Sequence, residues 1–257
     1  MCGRIVLYTP PERLARIFGA DLAPDVNVEG RPRFNIPPTA SVLGLRACPD
    51  GGVADPTGHS GGADGRATDG PAPLPRQIER FRWGLVPAWA KDVSGSSRTF
   101  NARAETVATK PSYRSAFKSR RLVVLADAFY EWKPGPGKER TPYVFQRSDG
   151  QPLALAGLWE RWISAEGEPL VSCTVITTEA GADMEDIHHR SPVIMEPEAL
   201  DEWLDPDRAD RDELESMLRP PPTGTLVHHQ VDRRVGNVRN DGPELMEPIE
   251  GSGRPIV

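Results

Sequence analysis

A few residues in this chain have types and spacings suited to covalent chemistry. The second residue is a cysteine, Cys2, behind an initiator Met1. So small a second residue normally permits removal of Met1. The new N-terminus then carries an amine and a thiol on adjacent carbons. An α-amine has a pKa of about 8, so a useful fraction is free base at neutral pH. Such an amine condenses with an aldehyde to a Schiff base. The neighbouring thiol then adds to the same carbon and closes a five-membered thiazolidine, which lysine cannot do. Glu131 ends the apolar run RLVVLADAFYEW (121–132). A carboxyl group there is partly desolvated, which favours its neutral form and suits it to proton exchange. Asp127, four residues earlier, reads as structural. His188 and His189 are adjacent, and an extended segment would turn only one of them into a given pocket. Histidine exchanges protons near neutrality. In FNARAET (100–106), Asn101, Arg103 and Glu105 alternate, so an extended strand sets all three on one face. Arg103 offers forked donors for a phosphate. Asn101 can hydrogen-bond to a sugar or an amine, and Glu105 can balance Arg103.

The elements that must position these groups are legible in outline. Thr9-Pro-Pro-Glu12 reads as a capping box opening a helix over 10–19, with Leu14, Ile17 and Phe18 on one face and Gly19 as its stop. The run 121–132 reads as one buried strand. PYVFQR, LALAGLWERW and SCTVITTEA follow at short intervals as further strands. PEALDEWL (197–204) and DELESML (212–218) read as helices, and 225–249 as strand and loop. The pattern predicts an α+β fold: a single domain with a mainly antiparallel, partly barrel-like β core flanked by short helices. Residues 49–76 contain seven glycines, five prolines and almost no large apolar side chains. That segment reads as a flexible Gly/Pro-rich insertion within a domain spanning 2–249, and 250–257 as a C-terminal tail.

Composition narrows the class. The chain has 257 residues, enough for a substantial core, and no apolar run approaches a membrane span of roughly 20 residues. The N-terminus has no signal-peptide pattern, so a cytoplasmic location is expected. The three cysteines, Cys2, Cys48 and Cys173, are widely spaced, so neither a zinc site nor a disulfide framework is predicted, and Cys48 and Cys173 read as unreactive thiols. No metal or cofactor is expected. Net charge is −6, but its distribution is uneven. Residues 98–121 carry seven basic side chains and one acid, whereas 196–215 carry ten acids and two arginines. Local charge decides whether phosphates are attracted, so 98–121 is a candidate nucleic-acid stripe.

Five segments in order carry a more specific signal: MCGR at the start, FRWGLVPAWAKD (81–92), FNARAET (100–106), DAFYEWK (127–133) and DIHHRSPVIM (186–195). RFNIPPT (33–39) and GNVRNDGPELMEPI (236–249) accompany them. Together they resemble the SRAP family (SOS response-associated peptidase), which includes bacterial members and the eukaryotic proteins that shield abasic sites. The resemblance runs from residue 2 to about 249, leaving out the insertion and the tail. It implies an enzyme that bonds Cys2 to the aldehyde of abasic sites in single-stranded DNA as a thiazolidine. Release of Met1 would be the autopeptidase step of the family name. It implies Glu131 as the catalytic glutamate and selects His188 over His189, to donate a proton as the closed sugar opens. Asn101 joins the catalytic set. Arg4, Arg103 and Arg239 become phosphate contacts, and Asn35 and Pro38 press against DNA where it leaves duplex form. Trp83, Trp89 and Trp132 are candidate stacking platforms for unpaired bases. Trp83 and Trp89 read equally as core, and Trp132, beside Glu131, is favoured. The implied partner is single-stranded DNA with abasic sites, including single/double-strand junctions, bound by a nucleoid-associated monomer. The replication machinery is the protein partner in view. Two other readings stay open: a thiol peptidase using Cys2, Glu131 and His188 on protein substrates, and a non-catalytic reader of damaged DNA.

Overall fold

The computed structural model describes residues 2–26, 31–48 and 74–249. Most of the predicted insertion and the whole tail lie outside these. The strands are β1 (Ile5–Leu7), β2 (Asp21–Leu22), β3 (Arg33–Ile36), β4 (Ser41–Ala47), β5 (Arg76–Trp83), β6 (Asn101–Arg103), β7 (Arg121–Ala126), β8 (Ala128–Pro134), β9 (Arg140–Arg147), β10 (Leu153–Ile163), β11 (Pro169–Glu179), β12 (Arg190–Pro192) and β13 (Leu226–Gln230). Five short helices accompany them: α1 (Pro11–Phe18), α2 (Ala104–Val107), α3 (Arg114–Ser119), α4 (Leu200–Leu204) and α5 (Arg211–Ser216). One sheet runs β13-β9-β8-β1-β3, the other β12-β11-β10-β7-β4-β5-β2. In the second, β5 also pairs in parallel with β11, Cys173 opposite Trp83. This closes β11-β10-β7-β4-β5 into a barrel and removes two open edges. The fold is therefore α+β, as the pattern predicts, with parallel pairing where the barrel closes and where β6 joins β11.

The continuous apolar run from 121 is not one strand. It breaks at Asp127 into β7 and β8, which belong to different sheets. Along β7, side chains alternate between two cores. Val123 and Leu125 enter the cluster beneath α1, α3 and α4, whereas Leu122, Val124 and Ala126 enter the barrel. A strand buried on both faces has no polar positions, so it reads as an unbroken apolar run. Asp127 makes the switch. Its carboxylate accepts the backbone N–H of Tyr8 at 2.6 Å and of Thr9 at 2.7 Å, and the Thr9 hydroxyl. Thr9 therefore does not cap α1, contrary to the capping-box expectation. Pro10 occupies the N-cap with no side-chain bond, while Gly19 ends the helix at φ 57° as expected. Leu14 and Phe18 are buried, but Ile17 is exposed.

Arg121, counted in the basic stripe, is a buried scaffold residue with 2% exposure. Its guanidinium donates to the carbonyls of Phe117 (2.8 Å), Lys118 (2.6 Å), Trp203 (2.6 Å), Arg208 (2.9 Å) and Asp205, tying β7 to α3 and to the chain around α4. Arg120 pairs with Glu160 at 2.8 Å. Within 98–121 this leaves Arg98, Arg103, Lys110, Arg114 and Lys118 exposed. Arg121→Met is expected to cost about 3 kcal/mol or more, since each stranded buried carbonyl costs about 1–3 kcal/mol. Thermal unfolding checks this, with a Tm drop of about 2–4 °C per kcal/mol. A wild-type Tm would mean that water replaces the guanidinium without loss.

Candidate active site

Cys2 is set by β1 and its neighbours. In the β1–β8 pairing, Ile5 faces Phe129 and Val6 faces Ala128. The Tyr130 N–H donates to the Arg4 carbonyl at 3.0 Å, so the register continues outward. It sets Glu131 opposite Gly3, beside Cys2. Phe129, Met184 and Ile187 share the apolar cluster that buries Cys2. One hydrophobic cluster thus joins the N-terminus, the Glu131 strand and the segment leading to His188.

Asn101 arrives on β6, whose parallel pairing with Val175 in β11 fixes its position. Its Nδ2 donates to the Cys2 carbonyl at 2.7 Å. Its Oδ1 is buried with no partner among the described residues, leaving an acceptor beside the N-terminal segment. The chain then leaves the strand. Residues 104–107 are α2, so Glu105 does not share a strand face with Asn101 and Arg103. Its main partner is Arg190, which it grips through both oxygens, at 2.6 and 3.1 Å, and the charge of Arg103 acts on it more weakly. Arg190 also donates to the Thr177 carbonyl of β11. The guanidinium beside it holds the Glu105 carboxyl below the usual carboxylate range.

His188 follows a turn in which its N–H donates to the Met184 carbonyl at 3.0 Å. The Arg190 N–H donates to His188 Nδ1 at 3.0 Å. The Arg190 carbonyl lies 3.1 Å from the same nitrogen, so the Arg190 backbone holds the ring in place in either tautomer. Burial lowers the His188 pKa below the ordinary histidine value, while the Glu131 carboxylate pulls it back up. The same carboxylate, after burial, raises the Cys2 thiol well above its usual range. Glu131 is therefore within electrostatic reach of both Cys2 and His188.

A cleft of about 500 Å³ opens over Glu131, Trp132 and His188. Lys133 and Arg140 line it on the β8–β9 side, and Glu185 and Asp186 face them. His189 lines it too, with its ring stacked on His188 at 4.5 Å and 25°. Only one histidine was expected in the cleft. Both enter because 187–189 is a turn and bend, free of the two-residue alternation of a strand. Sequence reasoning gave no role to Arg140 or Lys133, and it missed the Glu105–Arg190 clip because the two partners are 85 positions apart.

The residues expected at DNA divide into two groups. Arg103 and Arg239 are exposed, and neither side chain bonds a described residue. Pro38 is half-buried, next to Thr39, which holds φ 70°. Trp132 lines the cleft with the Arg4 guanidinium 5.9 Å from its ring centre. Two other assignments, Asn35 and Trp83, are corrected, and Arg4 is half-buried and mostly committed inside the fold. Arg4 spends both Nη atoms internally, on Asn35 Oδ1 (2.8 Å) and on the carbonyls of Val235 (2.9 Å) and Gly236 (3.3 Å). Asn35 is 0% exposed, and its amide bridges Arg4 to the carbonyls of Val235, Asn237 and Asn240. Trp83 lies inside the barrel, donating to the Phe100 carbonyl at 2.9 Å. A fully buried side chain cannot press on DNA or stack a base. Trp89 departs the other way: expected as core, it is 67% exposed.

Cys48 is half-buried, whereas Cys2 and Cys173 are buried, and none is in a disulfide. Thiolate is the reactive form, and burial suppresses it. Iodoacetamide at mildly alkaline pH is therefore expected to label Cys48 before Cys2 or Cys173, as read by peptide mass spectrometry. Cys2 labelling as fast as a free cysteine would contradict the burial described.

The fold and site define a class: a closed, mostly antiparallel barrel in which the cysteine at position 2 is buried beside an asparagine, a glutamate and a histidine. The chain belongs to the family described as SOS response associated peptidase (SRAP), whose profile matches residues 1–238. It is 36% identical over 248 residues to the "Abasic site processing protein YoqW" of Bacillus subtilis (strain 168), covering 96% of this chain and 99% of that one. It is 36% identical over 198 residues to the "Abasic site processing protein HMCES" of Gallus gallus, covering 68% and 58%. Among solved structures, a Bacteroides thetaiotaomicron protein shares the fold with a TM-score of 0.77 at 20% identity, covering 96% of this chain and 99% of that one. A Bordetella bronchiseptica protein matches with a TM-score of 0.68 at 26% identity, covering 90% and 100%.

Proposed function

We propose that this protein processes abasic sites in single-stranded DNA by bonding covalently to them through Cys2. The observation that carries this reading is that Glu131 and His188, which line one cleft, lie within electrostatic reach of the buried Cys2, whose carbonyl Asn101 holds, in a chain whose relatives are named abasic site processing proteins. Once Met1 is removed, by the family's own peptidase step, the Cys2 amine attacks the sugar aldehyde. Loss of one water gives the imine. The thiol adds to the imine carbon, and its proton passes to the nitrogen, closing the thiazolidine.

Each residue has a task in that sequence. His188 donates a proton toward the ring oxygen as the closed sugar opens. Glu131 takes the amine proton and delivers protons for water loss. The Cys2 thiol is protonated at neutral pH, so the amine attacks first and sulfur follows only when its proton can leave. Asn101 steers the N-terminal segment by its bond to the Cys2 carbonyl, with Oδ1 placed to accept from the amine. Arg103 and Arg239 hold phosphates, and Trp132, with Pro38 on the other side, guides unpaired bases at a junction. The protein acts on nucleoid DNA in the cytoplasm.

The test is direct. Purified protein is mixed with an oligonucleotide carrying one abasic site, and a denaturing gel is run. A heat-stable adduct is expected on the single strand, with intact mass showing protein that begins at Cys2. Loss of one water relative to the summed masses is the signature. No adduct, or adduct from protein that fully retains Met1, would sink the thiazolidine route. Non-covalent binding should weaken with salt, with a log–log slope of roughly −0.7 per phosphate contacted, and Arg103→Ala should flatten it by about one contact. A salt-independent affinity would point to a protein substrate instead.

A further inference from the structure

A second cavity, of about 120 Å³, opens at the far end of β1 from the catalytic cleft. Extended chain from Cys2 to its rim at Tyr8 spans about 20 Å, at about 3.3 Å per residue. It shares no lining residue with the cleft. Three arginines converge on it, Arg31 and Arg33 from the β3 side and Arg80 from β5, and no carboxylate lines it. Asp241 partly neutralises Arg33. Arg80 commits only its Nε, to the Asp25 carbonyl at 3.0 Å. Arg31 makes no hydrogen bond or ion pair with a described residue. Arg33 has Asp241 as its counter-charge, while Arg31 and Arg80 have no carboxylate partner among the described residues, and an anion between them would be favourable.

The rest of the cavity is apolar. Leu7, Ile36 and Val42 form its floor. At the rim the Tyr8 ring is 38% exposed on one side and stacked on Phe34 on the other, at 6.0 Å and 22°. Forked donors beside an apolar floor and a rigid aromatic ring suit a phosphate carried on a flat, apolar body. We propose that this cavity is a nucleotide site: the phosphate sits on Arg31 and Arg80, and the base lies over the floor against Tyr8. The nucleotide can be free or can belong to a strand flanking the one in the cleft. The inference does not rest on covalent capture.

Titrating the full chain with deoxyadenosine monophosphate, read by backbone amide NMR, tests this. Shifts concentrated at Tyr8, Thr9 and Ser41 are expected, and Arg31→Ala/Arg80→Ala should weaken binding by about tenfold or more. Both side chains are exposed, so this variant should keep the wild-type Tm and the wild-type crosslinking rate on a short abasic oligonucleotide. Inorganic phosphate alone should bind more weakly than the nucleotide. Unmodified single strands of increasing length separate the sources. An affinity gain with length that the double variant loses assigns the site to a flanking strand. Mononucleotide binding without such a gain assigns it to free nucleotide. The proposal is overturned if neither probe shifts these amides, if the double variant binds as wild type, or if phosphate matches the nucleotide.

Discussion

Cys2→Ala protein is expected to give no heat-stable adduct with abasic single-stranded DNA, while its non-covalent affinity for the same strand stays close to wild type. The alanine amine can still form the Schiff base, and borohydride should trap that species. Without sulfur the ring cannot close, and the imine hydrolyses when the gel is heated. The loss should therefore be complete in one assay and small in the other. The substitution removes a buried sulfur from the barrel-side cluster, so some stability is lost. Comparing unmodified-strand binding separates that loss from the chemical one. A heat-stable adduct at the wild-type level would remove Cys2 from the mechanism. Loss of all binding together with folding would call for Cys2→Ser as the cleaner variant.

Glu131→Gln and His188→Ala are each expected to slow crosslinking by about 10²–10⁴, the normal range for a general acid–base residue, but with different substrate dependence. In the proposed sequence of steps His188 serves the opening of the closed sugar. An aldehyde that is already open should restore most of the His188→Ala rate and little of the Glu131→Gln rate. The pH profile gives a second check. Burial lowers the His188 pKa, and the Glu131 carboxylate opposes that by favouring the protonated ring. Removing the carboxylate charge in Glu131→Gln should therefore move His188 titration to still lower pH, measured by NMR of the imidazole. A shift to higher pH would mean that Glu131 does not face His188. Equal rate defects on open and closed aldehydes would mean the two roles are wrongly divided, and near-wild-type rates in both variants would exclude both residues.

The Glu105–Arg190 clip explains how the two halves of the site hold together. Asn101 and Arg103 sit on β6 and His188 just before β12, and both strands pair with β11. The two-oxygen grip of Glu105 on Arg190 closes that arrangement from the side. The Arg190 backbone meets His188 Nδ1 while its side chain is clamped, so side-chain packing and ring orientation are coupled through one residue.

The sequence by itself determined the family and singled out the residues on which the proposed chemistry rests. Cys2 behind Met1, Glu131 at the end of an apolar run and the ordered motifs are local features, readable without contacts. It also determined that the core is β-rich, because β7, β10 and β11 are long apolar runs. Only the tertiary structure decided which polar residues face the cleft. Arg4, Asn35 and Arg121 look like nucleic-acid contacts when charge and hydrogen-bonding capacity are counted along the chain. Their acceptors are carbonyls up to 231 positions away, and that pairing exists only once the sheets are assembled. The same holds for Asp127. A single carboxylate inside an apolar run reads as a tolerated interruption until two backbone N–H groups of a distant turn are seen to need it. It then splits one strand into two and sends β8 to the sheet that carries Glu131 toward Cys2. Burial is a property of what packs around a residue. That is why Trp83 and Trp89, alike in sequence, end on opposite sides of the protein surface.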